Sequence, residues 1–348
     1  MSTPLLDVQS FSVAFHTEDA PVSAVSDVTL SVGEGEIFGL VGESGCGKTT
    51  LSLAIMGLLP PTARTSGVVT FTGRDLATLD DEETRQLRGD RISMILQDPM
   101  TSLDPTFSIG SQVSEVITSH RDVSAKAARS RAVDLLREVG IPDAAARYDD
   151  PPHRFSGGMR QRVVIAAALA NEPALLLADE PTTALDVTIQ AQILTLLRDL
   201  REGHGTAIVL VTHDLGVVAQ ICDRVGVMYA GQLVETASVR ELFTAPRHPY
   251  TRALLAALPA SGQLPGSLRV IEGRVPDLSD PPPGCRFAPR CPHRMPECES
   301  VPPLASYPSG HQIACWLDPM TRAAVGDATA SDATASGPGR HVVPDGRS

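Results

Sequence analysis

The sequence predicts an α/β fold in which a mostly parallel sheet is covered by helices, and three observations point to it. Apolar runs of strand length at 37–41, 174–178 and 207–211 are each followed by a segment of helical spacing, at 51–58, 187–200 and 215–222. That alternation is the pattern of parallel sheets. From about 98 to 170 the alternation stops, and Ala, Arg, Leu and Val recur at helical spacing, so this stretch reads as a helical insertion. With 42% hydrophobic and 20% charged residues over 348 positions, the chain can bury a sizeable core.

The first strand-to-helix junction carries chemistry. Gly42-Glu43-Ser44-Gly45-Cys46-Gly47-Lys48-Thr49 matches G-x-x-x-x-G-K-[ST] between the run 37–41 and a helical segment, which is the context a phosphate loop needs. Its glycines let successive backbone N–H groups face phosphates, and the following helix adds the positive end of its dipole. Lys48 can reach the β- and γ-phosphates of ATP, and the Thr49 hydroxyl can ligate Mg²⁺. Thr50 belongs to the same binding segment, while Cys46 sits at a free position as a small filler.

The run 174–178 ends in Asp179 and Glu180. Alone, two carboxylates at a strand end are ordinary solvated charges. Behind a phosphate loop, Asp179 becomes the residue that holds Mg²⁺ through water, and Glu180 the one that polarises an attacking water.

Between these elements, Phe155-Ser156-Gly157-Gly158-Met159-Arg160-Gln161-Arg162 resembles the signature segment of ABC ATPases, LSGGQ, with Phe155 for the leucine and Met159 for the glutamine. This variant, with 97–105 and His248-Pro249-Tyr250-Thr251, is similar to the ATP-binding subunits of oligopeptide/dipeptide (peptide/nickel) importers. The resemblance covers roughly residues 5–320. It implies an ABC-type P-loop ATPase with a RecA-like core sheet, a helical insertion and a small Cys-rich C-terminal extension. In its light Gln97 is the glutamine that senses Mg²⁺, Ala184-Leu185-Asp186 the loop that crosses a dimer interface, and His213 the switch histidine at the γ-phosphate. Phe15 is the aromatic for adenine, with His16 a weaker candidate. Ser156, Gly157 and Gly158, at a helix start, offer a hydroxyl and free N–H groups to a γ-phosphate presented by another subunit. The implied partners are a second ATPase subunit, most often a paralogue in a heterodimer, two membrane permease subunits, and an extracytoplasmic substrate-binding protein. The cargo is a di- or oligopeptide, with nickel or another small solute as the alternative.

Composition bounds the rest. A net charge of −12 argues against nucleic acid as a partner. No apolar run nears the roughly 20 residues of a membrane span, and the start lacks a signal peptide, so a peripheral subunit on the cytoplasmic face of the membrane is expected. A DNA- or ribosome-acting relative of the same ATPases would carry a long coiled coil or a duplicated cassette, and neither is present. The expected organisation is a cassette at 1–258, a Pro- and Cys-rich extension at 259–319, and a disordered tail at 320–348.

In that extension the cysteines are spaced Cys285-x₅-Cys291-x₆-Cys298-x₁₆-Cys315. Four thiolates can hold zinc or an iron–sulfur cluster, and gaps longer than the close pairs of zinc sites favour the larger object. Some members of the resembled family carry a [4Fe–4S] cluster here, so a structural cluster on these four cysteines is the expectation, with zinc and unligated thiols as alternatives.

Overall fold

A computed structural model describes residues 3–17, 20–183, 185–258 and 270–323. Leu6–Phe15 (β1) and Val22–Val32 (β2) pair antiparallel, each with one face on the core. The chain then runs inward as Ile37–Val41 (β3), buried at all five positions, as befits a strand covered on both faces. Lys48–Ile55 (α1) follows, then Ala63–Phe71 (β4) and Arg74–Asp75 (β5). β4 lies along the other side of β1, completing a four-stranded antiparallel sheet of order β2-β1-β4-β5. The sequence pattern does not announce this sheet. β1 breaks at Ser10, whose φ is 44°, and its register with β4 shifts between Gln9 and Ser12, which interrupts the period of two.

Asp81–Leu87 (α2) begins with a capping box between Asp80 and Glu83. Ile92–Ile95 (β6) then leads into the insertion: Pro99–Ser102 (α3), Ile109–His120 (α4), Ala125–Glu138 (α5), Ala144–Arg147 (α6) and Gly157–Ala168 (α7). Ser108 and Ser124 cap α4 and α5. Val113, Leu135 and Leu136 of these helices share one core with Val163 and Ile165 of α7.

The alternation expected from the sequence follows as Leu175–Asp179 (β7), Val187–His204 (α8), Ala207–Thr212 (β8), Leu215–Ile221 (α9) and Arg224–Tyr229 (β9). Gln232–Ser238 (β10), Val239–Thr244 (α10) and Pro249–Ala256 (α11) come next, and then the short Ala305–Ser306 (β11) and Gln312–Ile313 (β12). The main sheet has the order β11-β12-β10-β9-β3-β8-β7-β6. From β9 to β6 neighbouring strands are parallel, and β10, β12 and β11 join antiparallel.

The C-terminal segment is more than a loop-rich appendage. β12 pairs with β10, Glu235 opposite Ile313. Order also passes the expected start of the tail at 320: Thr321 is fully buried and the Arg322 N–H reaches the Asp318 carbonyl at 3.3 Å. Residues 324–348 of the expected disordered tail and residues 259–269 of the expected extension lie outside the described residues.

A buried carboxylate ties this segment down. Glu235, fully buried, accepts the backbone N–H groups of Arg247 (2.7 Å) and His248 (3.0 Å) and meets His311 Nε2 at 2.8 Å. Next to it, burial pushes His248 down from 6.5 to about 4, with Glu235 opposing and Arg252 assisting. Its Nδ1 accepts the Tyr250 N–H at 3.0 Å, as a neutral ring protonated on Nε2 can. Between pH 6.5 and about 4 the unfolded chain therefore binds more protons than the folded one, and stability falls as pH falls through that window. His248→Asn, which keeps an acceptor for that N–H, is expected to lose this part of the pH dependence of the thermal midpoint. Parallel curves for the two proteins would show that His248 is not the titrating group.

Candidate functional site

Four parallel strands deliver their C-terminal ends to one edge. β3 ends in the loop 42–47, β7 in Asp179 and Glu180, β8 is followed by His213, and β6 leads to Gln97. Register fixes their relative heights: Val41 lies opposite Thr212, Asp179 opposite Val211, and Ile95 opposite Ala178.

Gly47 has φ 99°, and a Cβ there would come within 2.3 Å of the Ala24 carbonyl oxygen, so the turn into α1 requires glycine. At Gly42 a Cβ would meet the Met228 carbonyl at 2.1 Å. Lys48 is buried, and its Nζ donates to the carbonyls of Gly42 (2.8 Å) and Glu43 (3.1 Å), which sets the ammonium inside the loop. Ser44 and Gly45 form the exposed tip, with Thr49 exposed and Thr50 half-buried in the first turn of α1. Burial pushes the Cys46 thiol up against the pull of Lys48, which keeps it a protonated filler.

Asp179 is buried and its Oδ1 has no hydrogen-bond partner. Burial raises its pKa, the bond with Thr49 lowers it, the Glu180 charge adds to the rise, and Lys48 opposes. An orphaned carboxylate oxygen beside the Thr49 hydroxyl suits Mg²⁺, which takes one or two protein oxygens together with waters and phosphates.

Glu180 is where the predicted residues converge. Its Oε1 meets His213 Nδ1 at 3.0 Å, and its Oε2 accepts from Gln97 Nε2 (3.1 Å) and Thr183 Oγ1 (2.7 Å). Burial works against its charge, but the bonds with His213 and Thr183 win and hold the carboxyl below its usual range. It is thus ionised at neutral pH and able to polarise water. Its backbone is left-handed, φ 46°, a conformation that costs a non-glycine residue about 1–3 kcal/mol and is typical of functional sites. Thr183 was not foreseen, because Pro181-Thr182-Thr183 carries no marked pattern; its N–H bond to the Glu180 carbonyl at 3.1 Å brings it into reach.

Other predicted residues lie elsewhere. Ser156 caps α7 through the Met159 N–H, and Ser156 and Gly157 are exposed. At Gly158 a Cβ would sit 2.8 Å from Ile189 Cγ2, so its smallness serves close packing on α8. Met159 packs against the helical core, 3.9 Å from Arg147 Nη1. Phe15 is half-buried at the end of β1, opposite Val22 and Ala63, and His16 is exposed. None of these takes part in the hydrogen bonds around Glu180. Ala184 lies outside the described residues, while Asp186 caps α8 by accepting the Ile189 N–H at 2.9 Å.

The iron–sulfur expectation finds no support in the placement of its ligands. Burial, with the neighbouring cysteines assisting, raises Cys285 to about 11 and Cys315 to about 12; Cys291 is raised as well. The thiols thus feel one another, yet among the described residues no three His, Cys, Asp or Glu side chains form a group that could hold a metal.

A phosphate loop, a carboxylate suited to Mg²⁺ and an ionised glutamate held by a glutamine and a histidine define a P-loop ATPase. The sequence pattern of ABC transporters matches residues 25–183, and that of the oligopeptide/dipeptide transporter C-terminal region matches 234–298. The dipeptide transport ATP-binding protein DppD of Bacillus subtilis is 50% identical over 316 residues, 90% of this chain and 94% of that one. Its counterpart in Escherichia coli is 49% identical over 313 residues, 89% and 96% of the two chains. Among solved structures, the ATP-binding cassette MJ0796 bound to ADP and phosphate superimposes with a TM-score of 0.62 at 30% identity, over 68% of this chain and 99% of that one. A second, cbiO1 from Clostridium perfringens, gives 0.60 at 27%, over 70% and 92%. The chain belongs to the ATP-binding subunits of the oligopeptide/dipeptide ABC transporter family.

Gly47→Ala tests the loop geometry. Both φ and the Ala24 carbonyl oppose a methyl group, so a loss of roughly 1–3 kcal/mol in urea unfolding is expected; an unchanged midpoint would mean that the loop adapts.

Proposed function

We propose that this chain binds ATP with Mg²⁺ and hydrolyses it to drive an importer of di- and oligopeptides, as one of two cassettes that close over shared nucleotides. The observation behind this reading is the convergence of Gln97, Thr183 and His213 on Glu180. Glu180 accepts the proton of the attacking water. His213 and Thr183 keep it ionised, and His213 stands where it can also meet the γ-phosphate. Lys48 and the N–H groups of 42–47 hold the β- and γ-phosphates, and Phe15 stacks on adenine. Thr49 and Asp179 would hold Mg²⁺, with Gln97 reaching toward it; when bound, the ion neutralises charge on the phosphates.

Gln97 also joins Glu180 to the insertion, since α3 begins two residues later at Pro99. Movement of the insertion is thereby felt at the catalytic carboxylate. Exposed Ser156 and Gly157 suit a γ-phosphate bound to a second subunit, a paralogue in the reading favoured here. An apolar groove between core and insertion, lined by Met56, Leu58, Met94, Leu96, Val116 and Val164, suits a helix of a membrane permease. Leu58 and Leu96 are 47% and 41% exposed there, as large apolar residues at a docking surface are.

Among the described residues no helix is long and apolar enough to cross a membrane. Attachment to the cytoplasmic face through two permease subunits, fed by an extracytoplasmic binding protein, follows from the importer reading. We assign the cassette to 1–258 and the C-terminal extension to 259–319. Peptides are the cargo named for the relatives; nickel or another small solute is the second possibility. The cluster on Cys285, Cys291, Cys298 and Cys315 rests on the number and spacing of the cysteines and on the family resemblance. Iron, sulfide and zinc analysis of anaerobically purified protein decides it.

Glu180→Gln is expected to keep ATP binding and slow turnover by roughly 10²-fold or more in the assembled transporter. Near-normal ATPase activity would overturn the assignment. The isolated subunit should hydrolyse ATP poorly, with a specific rate that rises with protein concentration. A robust rate independent of concentration would contradict the paired cassette.

A further inference from the structure

The phosphate loop contains a carboxylate of its own. Glu43 directly follows Gly42, and its charge would repel the phosphates that the loop is built to hold. Its partner comes from the far end of the chain. Arg290 donates through Nη1 to Glu43 Oε2 at 2.7 Å and through Nη2 to Glu43 Oε1 at 3.1 Å. This two-pronged geometry is the strong form of the pair.

The guanidinium has no freedom left. Nε donates to the Glu272 carbonyl (2.9 Å), Nη1 also to the Tyr229 hydroxyl (3.2 Å), and Nη2 also to the Ile271 carbonyl (3.1 Å). An arginine has five N–H donors, and all five are used. The side chain is only 5% exposed. Residues around it fix the same loop from other sides. The Glu43 N–H donates to the Tyr250 hydroxyl at 3.0 Å, and the Phe287 ring packs edge-on to Tyr229, centroids 5.2 Å apart. Arg286 donates to the Ala230 carbonyl and to Ser26 Oγ, and the next N–H, of Gly231, reaches the Cys46 carbonyl at 2.9 Å.

We propose that Arg290 is a positioning residue for nucleotide binding, which cancels the Glu43 charge and holds the phosphate loop in its binding shape. The inference rests on the ATP reading above. It makes the C-terminal segment part of the nucleotide site without any contact with the nucleotide.

Equilibrium titration of ATP and Mg²⁺ into the full chain tests it. Arg290→Gln is expected to weaken ATP affinity by about tenfold or more. Arg290→Lys, which keeps the charge, should lose only a few-fold. Removing the repelling charge as well should rescue: Arg290→Gln with Glu43→Gln is expected to recover most of the lost affinity, which a purely structural role does not predict. Unchanged affinity in Arg290→Gln, or a double variant as weak as the single one, would overturn the proposal. Should Arg290→Gln fail to fold, Glu43→Gln alone still decides, since it should bind ATP at least as tightly as the unaltered chain, and a tenfold loss would refute the charge argument. Lys48→Ala separates the two levels. If it leaves affinity intact, the ATP reading itself fails; if it weakens binding while the Arg290 variants do not, only this inference fails.

Discussion

The hydrogen-bonded register of β3, β8 and β7 is the constraint on which the site depends. Parallel pairing sets Val41 against Thr212 and Val211 against Asp179, so the phosphate loop, the carboxylates and His213 leave the sheet at one level. A strand slipped by one residue would turn Asp179 to the opposite face of the sheet. Slippage is resisted by burial, because β3, β7 and β8 are buried at every position. The geometry of the candidate site is thus an outcome of hydrophobic packing along these strands.

On that frame the two carboxylates are driven apart in character. Asp179, at the buried end of β7, is raised by desolvation and keeps an oxygen without a partner, while Glu180 is held ionised by hydrogen bonds. One residue of separation is enough because the chain turns left-handed at Glu180. That turn aims the second carboxylate away from the strand direction and toward Gln97 and His213.

Much of this was legible in the sequence, and the limits are physical. The phosphate loop, Asp179, Glu180, Gln97 and His213 lie at strand ends, where local pattern and chemistry coincide. The antiparallel sheet was missed because β1 and β2 are half-exposed and bulged, which blurs the alternation that marks a strand. Thr183 was missed because hydroxyl residues are common in turns and its partner is set by backbone geometry. Arg290 was out of reach altogether, 247 positions from Glu43; such an ion pair leaves no local trace. The four cysteines were read from their spacing and from the family resemblance; spacing constrains what loops can do, not where the thiols go.

The pairing of β12 with β10 has a consequence for how the chain is made. Strand β10 has β9 on one side, and its other side is covered through Glu235, Thr236 and the Val234 carbonyl by residues 312–314. Until those residues leave the ribosome, the sheet presents an open edge to its neighbours, the kind of template on which unfinished chains associate. The order of the sheet in space thus departs from the order of synthesis, since β10 is made well before the residues that cover it.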